Sequence, residues 1–398
     1  MIETVYSRGF QAVFRRIQPR FDWREPVRLE GEHAMRRLPH FLSAMGKRHV
    51  LLVTDNGIKE AGLLTEFEQA CSENGLTVTV FAGVRSDPST DEAEACAQVY
   101  RQSGADCITA VGGGSVIDCA KAAGAVTARP DKTLRKMKGI LRVRHETPYT
   151  VCAPTTAGSG SEATLAAVIT DRSEKEKMII NDFPLIPDAA VLDPLLTQSL
   201  PPALTAETGM DALTHAVEAY IGRSTTPKTR VWSEKAVSRI FSFLPRAYND
   251  GDDLQARGAM LEAAHFAGLS FTRAYVGNVH AAAHALGAAY GFPHGRTNAR
   301  ILPYVLRMYG TRCTPALARL SQGAGLPFST PEEWADTVDS MNKEMHIAPL
   351  KGIRTEDIPA LARRARREAN PLYPVPVVFN QRQMEELFYT IQKGESAL

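Results

Sequence analysis

Charge of one sign, paired cysteines and long apolar runs are all missing from this sequence, and each absence closes off a class of protein. Lys and Arg total 46 against 44 Asp and Glu, a net charge of +2. A chain so balanced lacks the basic surplus that drives non-specific phosphate binding, so nucleic acid is not an expected partner. The six cysteines, Cys71, Cys96, Cys107, Cys119, Cys152 and Cys313, contain no Cys-x-x-Cys pair, and no apolar export segment precedes them. Neither a thiolate metal cage nor a disulfide framework is indicated, and a reduced, cytoplasmic setting is the expectation. No stretch approaches the ~18 consecutive apolar residues that a membrane span requires. Internal repeats and low-complexity segments are absent as well.

What remains is an ordinary globular composition, with 44% apolar and 23% charged residues, far from the low-apolar, high-charge corner of disordered chains. At 398 residues the chain is long for one core, since ~150 residues per domain predicts two or three. Residues 1–28 carry Arg8, Arg15, Arg16, Arg20 and Arg24 among aromatics. Glu3, Asp22 and Glu25 interrupt them, so this extension reads as a solvated flanking helix and not as a targeting peptide.

Beyond it, short β-rich runs alternate with helical patterns. His49 to Thr54, Leu76 to Val84, Cys107 to Val111, Tyr149 to Ala153 and Ala189 to Asp193 read as strands. Ile58 to Asn74 and Asp91 to Ser103 read as helices between them, which predicts a parallel sheet with crossover helices. After Asp193-Pro194 the chain turns rich in Ala, Leu and Glu and reads as all helical. Pro194, Pro201 and Pro202 mark the boundary, giving an α/β domain over 29–197 and a helical domain over 198–398. The arginines at 363, 364, 366 and 367 read as a solvated helix face.

Two small-residue loops follow strands of the first domain. Gly112-Gly113-Gly114-Ser115 closes a strand and opens a helix running through Asp118 and Lys121. Glycines let the backbone approach a ligand, and a helix N-terminus offers unpaired N–H groups to a diphosphate, so a nucleotide is implied. A tight structural turn would have the same look. Pro154-Thr155-Thr156-Ala157-Gly158-Ser159-Gly160-Ser161-Glu162 supplies hydroxyls and bare backbone of the kind a ribose or phosphate needs. Asp55 ends the first strand, where a carboxylate can accept from ribose hydroxyls and repel a 2′-phosphate, favouring NAD over NADP. It could equally cap the helix that follows.

The second domain is more pointed. Asp211 and His215 are four apart, as are His280 and His284, which puts each pair on one face of a helix. His294 follows Pro293, so three of these histidines fall within fifteen residues, among alanines that leave room for ligation or catalysis. If Asp211, His215, His280 and His294 all bind one ion, tetrahedral zinc is saturated, while Fe²⁺ keeps an open position for a substrate oxygen. Fe²⁺ is therefore favoured, with Zn²⁺ as the other candidate.

These segments, in this order, resemble the iron-containing (group III) alcohol dehydrogenases from about Leu29 to the C-terminus. The likeness is carried by Gly112 to Asp118, Pro154 to Glu162, Leu200 to Tyr220, and Gly277 to Gly295 with Asn298-Ala299. It implies a Rossmann-like, parallel-sheet NAD-binding domain followed by a helical metal domain, a fold shared with dehydroquinate synthase, with cofactor and metal in the cleft between. It also implies metal ligands at Asp211, His215, His280 and His294, and a catalytic histidine at His284, beside the metal and near substrate and nicotinamide. Cofactor contacts fall on Asp55, Asp87, Gly112, Gly113, Gly114, Ser115, Asp118, Thr155, Thr156, Ser159, Thr164 and Lys177. An aromatic beside the substrate falls on Phe271. Because 271 and 280 lie on opposite sides of an unbroken helix, that last role requires a break near Gly277 and Asn278. The sequence departs from the family pattern at Ser159, at Asp87 and at Arg296-Thr297.

The resemblance implies reversible hydride transfer between NAD(H) and a small alcohol or aldehyde, in a homo-oligomer. Two other readings share the architecture. A lyase like dehydroquinate synthase needs several Lys and Arg at the metal, yet Gly277 to Gly295 contains none. A non-catalytic nucleotide or metal sensor has no need of the intact set of ligand types.

Overall fold

The computed structural model describes residues 2–21, 23–174 and 176–396. The chain divides into two compact units, one of Asp22–Leu200 with Gly251–His265, the other of Met1–Phe21 with Pro201–Asp250 and Phe266–Leu398. The division at Leu200 falls in the proline-marked stretch. Met1–Phe21 and Gly251–His265 group otherwise than a three-part division into 1–28, 29–197 and 198–398 would have them.

Helix α1 (Ile2–Ile17) opens the chain. In the α/β unit, among the described residues, β1 (Val27–Glu30), β2 (His49–Val53), β3 (Thr77–Phe81), β4 (Cys107–Gly112), β6 (Tyr149–Pro154) and β9 (Ala189–Leu192) form a six-stranded sheet in the order β1-β9-β6-β4-β2-β3. Every pairing in it is parallel. The crossovers include α2 (Ala34–Ala44), α3 (Asn56–Glu60), α4 (Thr65–Glu73), α5 (Thr90–Ser103), α6 (Gly114–Ala128) and the short α7 (Leu134–Met137). The inner strands are apolar apart from His49, Thr109 and Thr150 because both faces are covered. Leu51, Val53, Ile108, Ala110 and Cys152 enter one buried cluster, while Val50, Leu52, Cys107, Val111, Val151 and Ala153 enter the other, which is the period of two expected of strands.

Three findings differ from the sequence reading of this unit. The helix expected over Ile58 to Asn74 is two helices, because Gly62 adopts φ +72 between α3 and α4. The edge strand β1 lies just before and within the first residues of the expected domain and pairs with β9. A second sheet, β5 (Gly139–Ile140), β8 (Glu176–Asn181) and β7 (Ala166–Asp171), includes the antiparallel pair β7 and β8. β5 spans only two residues, and β7 carries apolar residues on both faces, so their pattern is easily missed. The six cysteines are buried and unpaired.

The helical unit holds α8 (Pro202–Ile221), α9 (Pro227–Asn249), the end of α10 (Leu254–Ala274), α11 (Asn278–Tyr290), α12 (His294–Tyr309), α13 (Thr314–Ala324), α14 (Pro331–Glu344), α15 (Ile358–Ala369) and α16 (Gln381–Ser396). Helix α8 is buried from Thr205 onward except at Thr208, as expected of a central helix that is apolar nearly all round. Helix α15 buries Leu361, Ala362 and Ala365 and leaves Arg363, Arg364 and Arg367 exposed, a solvated face. The N-terminal helix is more than a solvated flank. Arg8 donates to the carbonyls of Val375 and Pro376, Gln11 donates to that of Tyr373, and Gln18 to that of Arg273. No helix is long and apolar enough to cross a membrane, among the described residues.

Candidate active site

In the helical unit α8 carries four buried acidic or imidazole side chains, Glu207, Asp211, His215 and Glu218, at spacings that keep them on one face. Helix α11 adds His280 and His284, and His294 is the first residue of α12. The approach of α12 to α8 needs Gly295, where a Cβ would lie 2.5 Å from the Glu207 carbonyl oxygen. Asp211, His215, His280 and His294 each bring one ligand atom into a group spanning no more than 4.8 Å. Three are buried, and His294 is exposed.

A polar layer orients them. Glu218 accepts from the backbone N–H of Gly277 and Val279, each at 2.8 Å, and bonds His280 Nδ1 at 2.6 Å. That contact turns His280 Nε2 toward the cluster. Burial, joined by the neighbouring His215, His294 and His284, holds the His280 imidazole well below its usual range, so it is neutral, the form that ligates a metal. Burial pushes the Glu218 carboxyl up to about 7 against the pull of its backbone donors. The Asn298 amide nitrogen sits 2.7 Å from Asp211 Oδ1, 3.1 Å from His280 Nε2 and 3.0 Å from His294 Nε2. One amide facing three acceptors, with its own buried oxygen unpartnered, marks a pocket whose lone pairs suit a cation better than the protein's own donors. One carboxylate and three imidazoles fit a divalent ion of the iron or zinc type.

His284 stands beside this group, its ring 5.1 Å from that of His294 and 6.0 Å from that of His280. Its Nδ1 bonds Glu368 at 2.5 Å, and Glu368 also accepts from the Tyr373 hydroxyl at 2.9 Å. Although burial raises Glu368, His284 and Tyr373 bring its carboxyl below the ordinary value. Phe271 reaches the cluster because α10 ends at Ala274, Tyr275 takes φ 66 and α11 starts afresh at Asn278. Its ring stacks on His215 with centroids 4.2 Å apart.

In the α/β unit the chain passes from β2 outward to β3, then returns to place β4, β6 and β9 on the other side. Ligands of open α/β sheets seat at such a reversal, at the carboxyl ends of the strands. The register Val53 with Ala110 continues to bring Asp55 level with Gly112. The Thr155 N–H donates to the Gly112 carbonyl at 3.0 Å, and a Cβ on Gly114 would come within 3.0 Å of Ser159 Oγ, so the two loops touch. Gly113 faces Thr156, and Ser115 donates to the Ser86 carbonyl at 2.7 Å. Asp87 accepts from Thr170 at 2.8 Å and pairs with Lys177 at 3.4 Å. Asp55 caps α3, its Oδ1 accepting from the Ile58 N–H at 2.9 Å. Asp118 and Thr164 are buried: Asp118 accepts from Val168 N–H at 3.1 Å, and Thr164 takes the Lys121 ammonium on its carbonyl at 2.7 Å. Burial lifts Asp118 to about 6 in spite of Lys121.

Residues 27–194 match the iron-containing alcohol dehydrogenase domain, and residues 205–391 match the C-terminal domain of the Fe-containing alcohol dehydrogenase family. The chain belongs to the iron-containing alcohol dehydrogenases. This dehydrogenase is 34% identical over 349 residues to the NAD-dependent methanol dehydrogenase of Bacillus methanolicus, covering 85% of this chain and 91% of that protein. It is 35% identical over 309 residues to the NADPH-dependent butanol dehydrogenase of Clostridium saccharobutylicum, covering 76% and 79%. The crystal structure of a 1,3-propanediol oxidoreductase shares its fold with a TM-score of 0.87 at 32% identity, over 93% of this chain and 99% of that one. The lyase and sensor readings find no support in these matches.

Three residues of this dehydrogenase escape a reading of the sequence for sites. Glu218 had a signal, lying three residues after His215 and seven after Asp211 on α8. Asn298 had one too, four residues after His294. Glu368 had none, since it lies in an arginine-rich helix that only the packing of α15 on α11 brings to His284.

Proposed function

We propose that this dehydrogenase interconverts a small alcohol and its aldehyde with NAD(H), using a divalent cation held by Asp211, His215, His280 and His294. The observation that carries the reading is the convergence of those four ligand atoms within 4.8 Å. Fe²⁺ is the ion we assign, because four protein ligands leave it a coordination position that tetrahedral zinc would lack; Zn²⁺ is the competitor for the same donors. When bound, the ion supplies Lewis acidity that lowers the pKa of an alcohol hydroxyl, and NAD supplies the hydride acceptor.

The protein's own part is positioning and proton handling. Glu218 keeps His280 in the tautomer whose Nε2 faces the ion. His284, tied at Nδ1 to Glu368, presents Nε2 to take the alcohol proton, and the Glu368 carboxylate steadies the cation that results. The backbone of Gly112, Gly113 and Gly114, with Ser115, Thr155, Thr156 and Ser159, cradles the diphosphate. Asp55 caps α3 with one oxygen and uses the other for the adenosine ribose, selecting NAD, while Asp87 and Lys177 flank the cofactor as a pair. Asp118 and Thr164 act from beneath, Asp118 tying α6 to β7 through Val168 and Thr164 bracing the end of the second loop through Lys121. The α/β unit is thus the cofactor-binding domain and the helical unit the metal-binding domain.

Phe271 forms a wall of the substrate pocket, which its stacking on His215 supports. Phe271→Ala should raise kcat/KM for longer or branched aldehydes relative to acetaldehyde, with the metal retained. A structural role alone would instead cost ~3 to 5 kcal/mol of stability and lower every aldehyde alike. A homo-oligomer is supported by the apolar stripe Tyr6, Val13 and Ile17 exposed along α1, and a cytoplasmic location by the six unpaired cysteines. The deciding experiment supplies the purified protein with Fe²⁺ or Zn²⁺ and NADH and follows NADH consumption over a panel of small aldehydes. Failure to reduce any of them with either metal would overturn the reading.

A further inference from the structure

The α/β unit contains a second concave surface, about 620 Å³ in volume, that shares no lining residue with the glycine loops. That volume lies in the range of small-molecule sites. Lys132, Arg135, Lys136, Arg142 and Arg144 line it together with Ile140 and Leu141, and no acidic residue joins them. A chain of net charge +2 thus gathers five cations around one hollow.

The hollow is built on a fixed backbone. Leu141 N–H donates to the Asn181 carbonyl at 2.9 Å, and the N–H groups of Val143 and Arg144 both donate to Asp182 Oδ2, at 2.8 and 2.9 Å. Arg129 holds the Val143 carbonyl at 2.8 Å and Lys132 the Arg142 carbonyl at 2.9 Å. Those bonds keep Leu141 and Arg144 at φ 56 and 57, a region side chains other than glycine seldom occupy. Arg135 is partly neutralised by Asp171 and Glu174, which lie outside the lining. Among the described residues, Lys136 and Arg142 make no side-chain ion pair or hydrogen bond. With Lys136 and Arg142 lacking counter-charges, the gathered cations repel, and a ligand carrying several negative charges relieves that repulsion in a way a monoanion cannot.

We propose that this hollow binds a small polyphosphate, a chain of two or three linked phosphates, in a site separate from the dehydrogenase centre. Linked phosphates present several acceptor oxygens over the span that the Lys and Arg side chains cover, and arginine pairs with them in a bidentate fashion. The concave shape and limited volume favour a small ligand over an extended nucleic acid.

Isothermal titration of the NADH-loaded protein with sodium tripolyphosphate at low ionic strength tests the assignment, the NADH keeping the glycine loops occupied. One site is expected, weakened at least about tenfold in the double variant Lys136→Ala/Arg142→Ala. The pair Arg363→Ala/Arg364→Ala on α15 should leave it unchanged. Thermal melting and dehydrogenase turnover of Lys136→Ala/Arg142→Ala should match the parent, because neither side chain supports the fold, and Lys136→Arg/Arg142→Lys should retain binding. An affinity that the alanine pair does not alter, an absence of binding, or orthophosphate binding as tight as tripolyphosphate would overturn the proposal. So would a single-stranded oligonucleotide that binds the hollow more tightly than tripolyphosphate.

Discussion

In the helical unit the candidate site is made of side chains drawn from α8, α11 and α12, whereas in the α/β unit it is made chiefly of backbone where two loops meet at strand ends. The first kind depends on a polar layer behind it: Glu218 on His280, Glu368 on His284, Asn298 among three acceptors. Removing one functional group there leaves buried partners unsatisfied. The second kind depends on the absence of side chains, so it is sensitive to added volume and tolerant of lost groups. Each kind of site therefore has its own way of failing.

The sharpest break in this comparison comes from the histidines. His280→Ala should abolish turnover and strip the metal, as measured by metal analysis of the purified variant. His284→Ala should keep the metal and slow turnover ~10² to 10⁴-fold through loss of the proton path. The opposite pattern of metal loss would exchange the two roles.

Glycine substitutions extend the contrast. A Cβ at Gly295 meets backbone of Glu207, which cannot turn aside, so Gly295→Ala should cost ~1 to 3 kcal/mol and loosen the metal by shifting His294. Gly114→Ala meets Ser159 Oγ at 3.0 Å, which can rotate away, and Ser159 Cβ at 3.1 Å, which must shift with its loop by a few tenths of an ångström, so it should keep the metal and mainly raise KM for NADH. Similar metal loss in both variants would show that the two sites do not fail independently.

In the proposed function, Asp55 is the side chain that supplements the backbone-built site. Asp55→Gly should shrink the penalty against NADPH by ~1 to 3 kcal/mol in the ratio of kcat/KM values with one aldehyde. An unchanged ratio would confine Asp55 to capping α3, the contact it already makes.

Mildest for turnover is Asp118→Asn, whose effect is on the pH dependence of stability. Burial raises the folded-state value of Asp118 to about 6 from an ordinary 3.8, so the folded form holds the proton more tightly. Its contribution is then full below about pH 4 and is lost as pH rises to about 6. Melting curves of Asp118→Asn should be flatter over that interval than those of the parent; identical profiles would remove Asp118 from the bracing role.

Much of this was legible because it is local. Short β-rich apolar runs around Val50 and Ile108 announce strands, the glycine triplet announces a turn into a helix, and Asp211 with His215 share a face by spacing alone. The break in Ile58 to Asn74 was harder, since Gly62 is a weak breaker until its backbone angle is known. The pairing of β7 with β8 was harder still, because antiparallel partners five residues apart at the turn carry no signal of which sheet they join.

The sequence by itself determined the family, the order of α/β and helical parts, and the candidate ligand types at 211, 215, 280 and 294, since each rests on periodicity or on short motifs that are legible segment by segment. Only the tertiary structure decided that Phe271 reaches His215, through the restart of the helix at Asn278, and that Glu368 backs His284 across two packed helices. It likewise gathered Lys132, Arg135, Lys136, Arg142 and Arg144 around one hollow, although their charges vanish into a balanced total. Contacts between residues far apart in the chain depend on how whole elements pack, and no local pattern records that packing.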